Sequence, residues 1–376
     1  MYNSIIMKQF SLLIKPASSD CNSNCIYCFY RGLPLYKGRP TRMSFDVLSV
    51  LIKKYLATSQ MQYIFSWQGG EPLLMGLDFY KGVINLQKNF AKPNSIIGNG
   101  IQTNGYLIDD ETAEFFSQAS FLVGISIDGP EELHNKFRII LDGSNAFNKV
   151  LSSIKILQKH NVEFNTLTVV TSAHSGKAKD VYRFLKDTGS YYHQYIPCVE
   201  YNKNGEKMPW TIEARQWGRF LCDVFEMWLG EQTKTSIRLF DSIINVLLGR
   251  QPGICQMEKN CCQYFVVEHN GDIFPCDFFV RDYTFLGNIM NDDWQIFLDS
   301  AKYKNFGAQK TMWHSDCNRC EYLKFCAGDC QKYRLPNHKY IRGKSVLCEG
   351  WKMFYKECLG EFKKIIKKQQ VFFNQG

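Results

Sequence analysis

Three cysteines stand close together early in the chain, Cys21, Cys25 and Cys28 in DCNSNCIYC, separated by three and then two residues. Three thiolates can hold three irons of a four-iron cluster and leave the fourth iron open to a chelating ligand. A zinc ion completed by a distant fourth residue is the alternative, but the triplet follows a predicted strand of a β/α repeat rather than sitting in a small ribbon. Eight more cysteines form a second group: Cys255, Cys261, Cys276, Cys317, Cys320, Cys326, Cys330 and Cys348. Eight thiolates suffice to ligate two four-iron cores completely, which suits electron transfer rather than substrate binding. Structural zinc would stabilise the same region but carry no electron. Of the remaining four, Cys222 and Cys358 lie on helical patterns and read as core residues, Cys262 adjoins Cys261 and could take its place, and Cys198 has no assigned role.

Other motifs follow predicted strands in chain order. Gln68, Gly69, Gly70, Glu71 and Pro72 combine paired glycines, which let a backbone approach a ligand closely, with an acidic residue. Gln102-Thr103-Asn104-Gly105 comes after the third strand, and Ser126-Ile127-Asp128-Gly129-Pro130 after the fourth, with His134 and Arg138 beyond it. These positions suit ligand contacts, and for any single one a loop-structuring role is an equal reading.

The elements that must position these residues show a repeat of their own. Strand-like runs at 10–14, 63–67, 95–102, 121–126, 162–170 and 191–196 alternate with amphipathic stretches near 44–57, 78–90, 110–118, 146–160 and 177–187. The alternation predicts a parallel sheet with right-handed crossovers. Functional residues at the C-terminal ends of its strands suit a partial (β/α)6 barrel related to the TIM barrel. Residues 198–209 are polar with Gly and Pro and mark a boundary region. Helical patterns at 211–230 and 239–249 follow, then the cysteine-rich segment with a hairpin signal at Asn270-Gly271, and a last helix over about 349–369. The expected domains are 8–235 and 236–376.

Composition narrows the function class. The 376 residues carry 28 Phe, 20 Tyr and 7 Trp, enough for a sizeable core. No apolar run is long enough to span a membrane and no secretory leader is recognisable, so the expected location is the cytoplasm, where thiols stay reduced. The formal charge of +9 counts every thiol as neutral. Two fully ligated clusters of about −2 each and one open cluster of about −1 would leave roughly +4, too little for a nucleic-acid reading. The basic run at 363–368 reads as the solvated face of a terminal helix.

The C-x3-C-x2-C triplet with Tyr27 before its last cysteine, together with the Gly-Gly-Glu-Pro loop, resembles the radical S-adenosylmethionine (SAM) superfamily. The resemblance implies that the open iron takes the amino and carboxylate groups of SAM, and that one electron then splits the sulfonium to give a 5′-deoxyadenosyl radical. It carries SAM contacts onto Tyr27, Gln68, Gly69, Gly70, Glu71, Ser126, Asp128 and Arg138. The spacing from Cys261 through Gly271 and Cys276 to C-x2-C-x5-C-x3-C and Cys348 resembles the SPASM domain of peptide-modifying radical SAM enzymes. By that likeness Cys255, Cys261, Cys276 and Cys330 hold one auxiliary 4Fe-4S cluster, and Cys317, Cys320, Cys326 and Cys348 the other.

Within that group the stretches SLLIKPASSDCNSNCIYCFY, WQGGEP, QTNG, FLVGISIDGP, VVTS and VVEHNGDIFPCDF with the following LGN are similar to the anaerobic sulfatase-maturating enzymes. The likeness implies oxidation of a sulfatase Cys or Ser, in a Cys/Ser-x-Pro-x-Arg type motif, to formylglycine. The radical would take a Cβ hydrogen, Asp277 would accept the thiol or hydroxyl proton, and the auxiliary clusters would accept the electron. It further implies an unfolded or nascent sulfatase polypeptide as partner, a flavodoxin- or ferredoxin-like reductant, no nucleic acid, no membrane, and a monomer. A different SPASM maturase that forms thioether or other crosslinks would share the cysteines but need not use Asp277. A non-catalytic iron-sulfur or zinc protein would have no use for the triplet and the Gly-Gly-Glu-Pro loop. Residues 1–9, the loop GLPLYKGRPTRM and the tail after about 360 carry no motif.

Overall fold

A computed structural model describes residues 9–32, 35–36, 41–334 and 343–373, with side chains up to residue 368. The motif-free segment at 1–8 and part of the loop after Gly32 lie outside the described residues. Strands and helices alternate as the periodicity predicts: β1 Ser11–Lys15, α1 Phe45–Ala57, β2 Gln62–Trp67, α2 Leu77–Phe90, β3 Ile96–Thr103, α3 Asp110–Gln118, β4 Leu122–Ser126, α4 Glu131–Phe137, α5 Ala146–Lys159, β5 Phe164–Val170, α6 Ala178–Asp187 and β6 Tyr192–Pro197. Expected and observed ends differ by a residue or two, as fraying at element termini allows. Short α4 is the one element of this repeat that the periodicity does not predict, because its seven residues span only two turns. Then follow α7 Ala214–Trp228, β7 Ser236–Ile237, α8 Arg238–Leu247, β8 Tyr264–Glu268, β9 Asp272–Phe274 and β10 Gly287–Asn288. The C-terminal helix covers Cys348–Phe373.

The chain divides into two compact units that interleave in sequence. The first takes residues up to Ser126, then Phe137–Phe164 and Cys262–Gly307. In it β1, β2, β3 and β4 pair in parallel, in that order. The other edge of β1 is taken by β8, from the cysteine-rich half of the sequence, again in parallel, with Lys15 opposite Glu268. Antiparallel β9 and β10 extend this edge. The reason is visible in the side chains: Phe265, Val266 and Val267 are fully buried, and Phe10 packs on Phe265 at 5.2 Å and on Trp294 at 5.1 Å. Burial of such aromatics contributes about 1.5–3 kcal/mol each and offsets the closure of a chain loop of this length.

The second unit takes Ile127–Lys136, Asn165–Cys261 and Ala308–Gly376. Here β5, β6 and β7 pair in parallel. The C-terminal helix lies against α7 at a crossing made by glycines. A Cβ on Gly218 would sit 2.6 Å from the Gly350 carbonyl oxygen, and one on Gly350 would overlap the Ala214 carbonyl. Trp217 meets Trp351 edge-on at 5.7 Å beside that crossing. The first residue of the helix, Cys348, is therefore held by a crossing that no larger side chain could form.

Candidate active site

The cysteine triplet lies in the first unit, directly after β1. Ser23 ties its loop down: its amide donates to Cys21 Sγ at 3.4 Å and its hydroxyl lies 3.2 Å from Cys25 Sγ while donating to the Ile139 carbonyl. The amides of Asn24 and Ile26 donate to the carbonyls of Ile139 and Phe137. The segment carrying Arg138 thus braces the triplet, and its guanidinium lies over the Tyr27 ring at 5.6 Å. Tyr27 and Arg138, both expected as SAM contacts, are here stacked on each other beside the cysteines.

Gly69 and Gly70 both have positive φ, 88° and 50°. Gly70 lies against the Asp20 backbone so closely that a Cβ would overlap the Asp20 carbonyl oxygen, and a Cβ on Gly69 would come within 2.7 Å of the Lys15 side chain. The Glu71 amide donates to Asp20 O at 2.8 Å and the Gln68 amide to Ile14 O at 2.9 Å, so the loop is laced to the strand end that precedes Cys21. Gly70→Ala should therefore destroy the local arrangement. The expected result is a protein that retains little iron at the triplet and shows at least a hundredfold loss of reductive SAM cleavage, about the cost of a 1 Å misplacement.

Glu71 is buried and its carboxylate is engaged by the protein. One oxygen accepts from the Leu73 amide at 2.9 Å and the Thr103 hydroxyl at 2.7 Å, the other from the Asn104 amide at 2.8 Å. Burial pushes its carboxyl up to about 7, against the pull of those donors. Its visible work is to pin the Gly-Gly-Glu-Pro loop to Thr103 and Asn104. Asn104 passes the connection on, donating to Asn22 Oδ1 at 2.8 Å and lying 3.7 Å from Cys21 Sγ. The loops after β1, β2 and β3 thereby form one hydrogen-bonded set. Ser126 ends β4 in the first unit. Asp128 belongs to the second, where its carboxylate accepts from the Val169 amide at 2.9 Å and its own amide donates to His134 Nδ1 at 3.3 Å.

Asp277 follows Cys276 in the first unit and is buried. Tyr30 donates its hydroxyl to Asp277 Oδ2 at 2.5 Å, and Lys15 Nζ lies 3.7 Å from Oδ1. Lys15 is nearer to Glu268, at 2.7 Å, and both of these side chains are 0% exposed. Burial and the adjacent Asp277 carboxylate push the Tyr30 hydroxyl well above its ordinary range, which keeps it a donor. Tyr30, Lys15 and Glu268 are functional candidates that motif reading missed. The signal present in the sequence was a lysine ending an otherwise apolar strand, SLLIK, and a glutamate ending YFVVE.

In the second unit Cys317, Cys320, Cys326 and Cys348 line a single pocket, walled also by Trp351 and Tyr355. Four thiols around one void are the donor set a four-iron cluster requires. Cys255, Cys261 and Cys330 form the second group there. Burial, then the neighbouring Cys255, push the Cys330 thiol up to about 12. Gln331 Nε2 donates to Cys261 Sγ at 3.2 Å. The fourth residue assigned to this set, Cys276, is in the first unit, where the Tyr264 hydroxyl donates to its sulfur at 3.5 Å. Cys262 is buried with its thiol 3.1 Å from the Tyr303 carbonyl, which distinguishes it from Cys261. Cys198, Cys222 and Cys358 are buried.

Between Cys326 and Cys330 the chain passes through three successive left-handed residues, Ala327, Gly328 and Asp329. Asp329 is fully buried and accepts from Gln256 Nε2, the Cys330 amide, Ser345 Oγ and Trp351 Nε1 at 2.9, 2.7, 2.5 and 2.9 Å. The buried Arg334 donates to the carbonyls of Gly328, Lys310, Ala327 and Asp329. Asp329→Ala would strand four donors in the interior. It should cost about 3–5 kcal/mol, read as a lowered denaturation midpoint with loss of auxiliary-cluster iron.

A profile of the radical SAM superfamily matches residues 16–185, and one of the SPASM iron-sulfur cluster-binding domain matches 255–321. The chain is 34% identical over 369 residues to a cysteine-type anaerobic sulfatase-maturating enzyme of Clostridium novyi, covering 96% of this chain and 98% of that one. The chain belongs to the anaerobic sulfatase-maturating enzymes. A serine-type member of that family from Bacteroides thetaiotaomicron is 36% identical over 96% of this chain and 92% of its own length. Among solved structures, anSMEcpe with bound AdoMet superposes with a TM-score of 0.87 at 34% identity, over 95% of this chain and 99% of that one. Its complex with AdoMet and the peptide Cp18Cys gives 0.89. The maturase fold is thus the partial barrel with a cysteine-rich SPASM domain that the sequence predicts. Its cofactors are SAM and 4Fe-4S clusters. Among the described residues of this maturase no helix is long and apolar enough to cross a membrane.

Proposed function

We propose that this enzyme oxidises the active-site Cys or Ser of a sulfatase to formylglycine, with Asp277 as the base. Three changes must reach the target residue: a hydrogen atom leaves Cβ, one more electron leaves, and the thiol or hydroxyl gives up its proton; Ser then yields the aldehyde directly, and Cys a thioaldehyde that water hydrolyses with release of hydrogen sulfide. Bound SAM and the clusters supply the one-electron chemistry. The polypeptide supplies the rest. Cys21, Cys25 and Cys28 hold the SAM-binding cluster, and the sets assigned from the sequence hold the two auxiliary clusters. Gly69 and Gly70 keep the loop beside the triplet thin enough for a ligand, while Tyr27, Gln68, Glu71, Ser126, Asp128 and Arg138 complete the SAM contacts.

The single observation that carries the assignment of the base is the setting of Asp277. It is buried, oriented by Tyr30 through Oδ2 at 2.5 Å, and faces a lysine 3.7 Å from Oδ1. A carboxylate fixed by a donor on one oxygen can receive a proton on the other at low reorganisation cost. The substrate is an unfolded or nascent sulfatase segment of the Cys/Ser-x-Pro-x-Arg type, met in the cytoplasm by a monomer with domains 8–235 and 236–376 and reduced by a flavodoxin- or ferredoxin-like protein. The test is incubation of anaerobically reconstituted, reduced enzyme with SAM and matched Cys-type and Ser-type sulfatase peptides. The expected product of at least one is an aldehyde, identified by its mass and by hydrazide capture. A crosslinked peptide without aldehyde would assign the chain to thioether chemistry instead.

A further inference from the structure

Buried Lys15, Glu268 and Asp277 form one group with half-buried Tyr30, contributed by β1, β8 and the loops after the two cysteine sites. Lys15 and Glu268 are cross-strand partners in the β1–β8 register and are wholly buried. A buried ion pair of this kind is not needed for stability, since two apolar residues would serve at least as well. Its presence at the end of a strand pair whose three central positions are all Leu, Ile, Phe and Val calls for another reason. The group carries one cation for two carboxylates, and the cation sits unequally: 2.7 Å from Glu268 and 3.7 Å from Asp277, with its ammonium 4.6 Å from the centre of the Tyr30 ring. Burial works against ionisation of Glu268, but Lys15, His269 and Ser18 together hold its carboxyl below the usual range. His269, also buried, lies with Nδ1 3.7 Å from the other Glu268 oxygen. The Gly69 backbone packs on the Lys15 stem, which ties the same lysine to the Gly-Gly-Glu-Pro loop.

We infer that Glu268 is a positioning residue for the oxidation: by holding Lys15 at 2.7 Å, it keeps the ammonium from closing on Asp277 Oδ1, now 3.7 Å away. Without the Glu268 charge the nearest anion to Lys15 is Asp277, and closing the gap of about 1 Å would move the carboxylate off its productive orientation. The proton acceptor remains Asp277, so the inference rests on the reading of Asp277 as the base. Lys15 and Glu268 exchange no proton or electron with substrate.

The experiment compares wild type, Glu268→Gln, Glu268→Asp and the double variant Lys15→Met/Glu268→Gln, each reconstituted with iron and sulfide. It measures 5′-deoxyadenosine and peptide aldehyde in the same reaction, with iron content and thermal midpoint as checks. Glu268→Gln should still cleave SAM, with the ratio of deoxyadenosine to aldehyde rising about 10- to 100-fold. The double variant, which removes the cation along with the charge that restrains it, should recover most of the coupling. Glu268→Asp keeps the charge and should stay near the wild-type ratio, which also covers the case in which Glu268→Gln fails to fold. A wild-type ratio in Glu268→Gln would overturn the inference, and so would a double variant as uncoupled as the single one or an uncoupled Glu268→Asp. Absence of aldehyde from the wild-type enzyme would instead remove the underlying assignment.

Discussion

Asp277→Asn should form 5′-deoxyadenosine from SAM in the presence of peptide, yet make aldehyde about 10²- to 10⁴-fold more slowly, the span expected on losing a general base. The amide is nearly the same size as the carboxylate and can still receive the Tyr30 hydroxyl bond that holds Oδ2 at 2.5 Å. What it lacks is a basic oxygen for the substrate proton. Hydrogen removal from Cβ does not need that oxygen, so the two products should part company. Assaying both in one reaction separates this from simple loss of fold, which would lower them together. Full aldehyde formation by the variant would transfer the base to another residue.

Cys25→Ala should have the other large effect, and of a different kind. Three thiolates are the minimum for an iron-sulfur core with one open iron, and Cys25 is also the sulfur that Ser23 Oγ approaches at 3.2 Å. The variant should bind about 8 irons per chain rather than about 12, keep its auxiliary absorption, and show no reductive SAM cleavage. Iron analysis with absorption spectroscopy checks the first part and product chromatography the second. Unaltered iron with unaltered cleavage would mean that the triplet holds no cluster.

Much of this architecture is written in local patterns. The period-two runs of β2 and β6 and the period-3.6 faces of α1, α3 and α5 locate the repeat because each element buries a single face. The cysteine spacings are legible for a similar reason, since ligands to one core must lie near one another or on short connections. The partnership of β1 with β8 was not legible. Nothing in SLLIK or YFVVE states which strand edge it will meet, and the two are separated by some 250 residues. The Lys15–Glu268 pair exists only through that register, so its members looked like ordinary strand ends. Asp329 was invisible for a related reason. It lies inside the motif Cys326–Cys330, where a spacer position carries no sequence signature of the four donors gathered from Gln256, Cys330, Ser345 and Trp351. Glu71 has a structural role of the same hidden kind. The motif names it as a SAM contact but says nothing of the bonds its carboxylate accepts from Leu73, Thr103 and Asn104, which fix the loops in place.

The whole account depends on the site formed by Cys21, Cys25 and Cys28 leaving one iron for SAM. Electron paramagnetic resonance of the reduced, reconstituted enzyme, with SAM carrying a nitrogen isotope in its amino group, addresses this directly. The account predicts a changed cluster signal and a hyperfine coupling from the labelled nitrogen, both absent from Cys25→Ala. A wild-type signal that SAM leaves unaltered, with no such coupling, would contradict it.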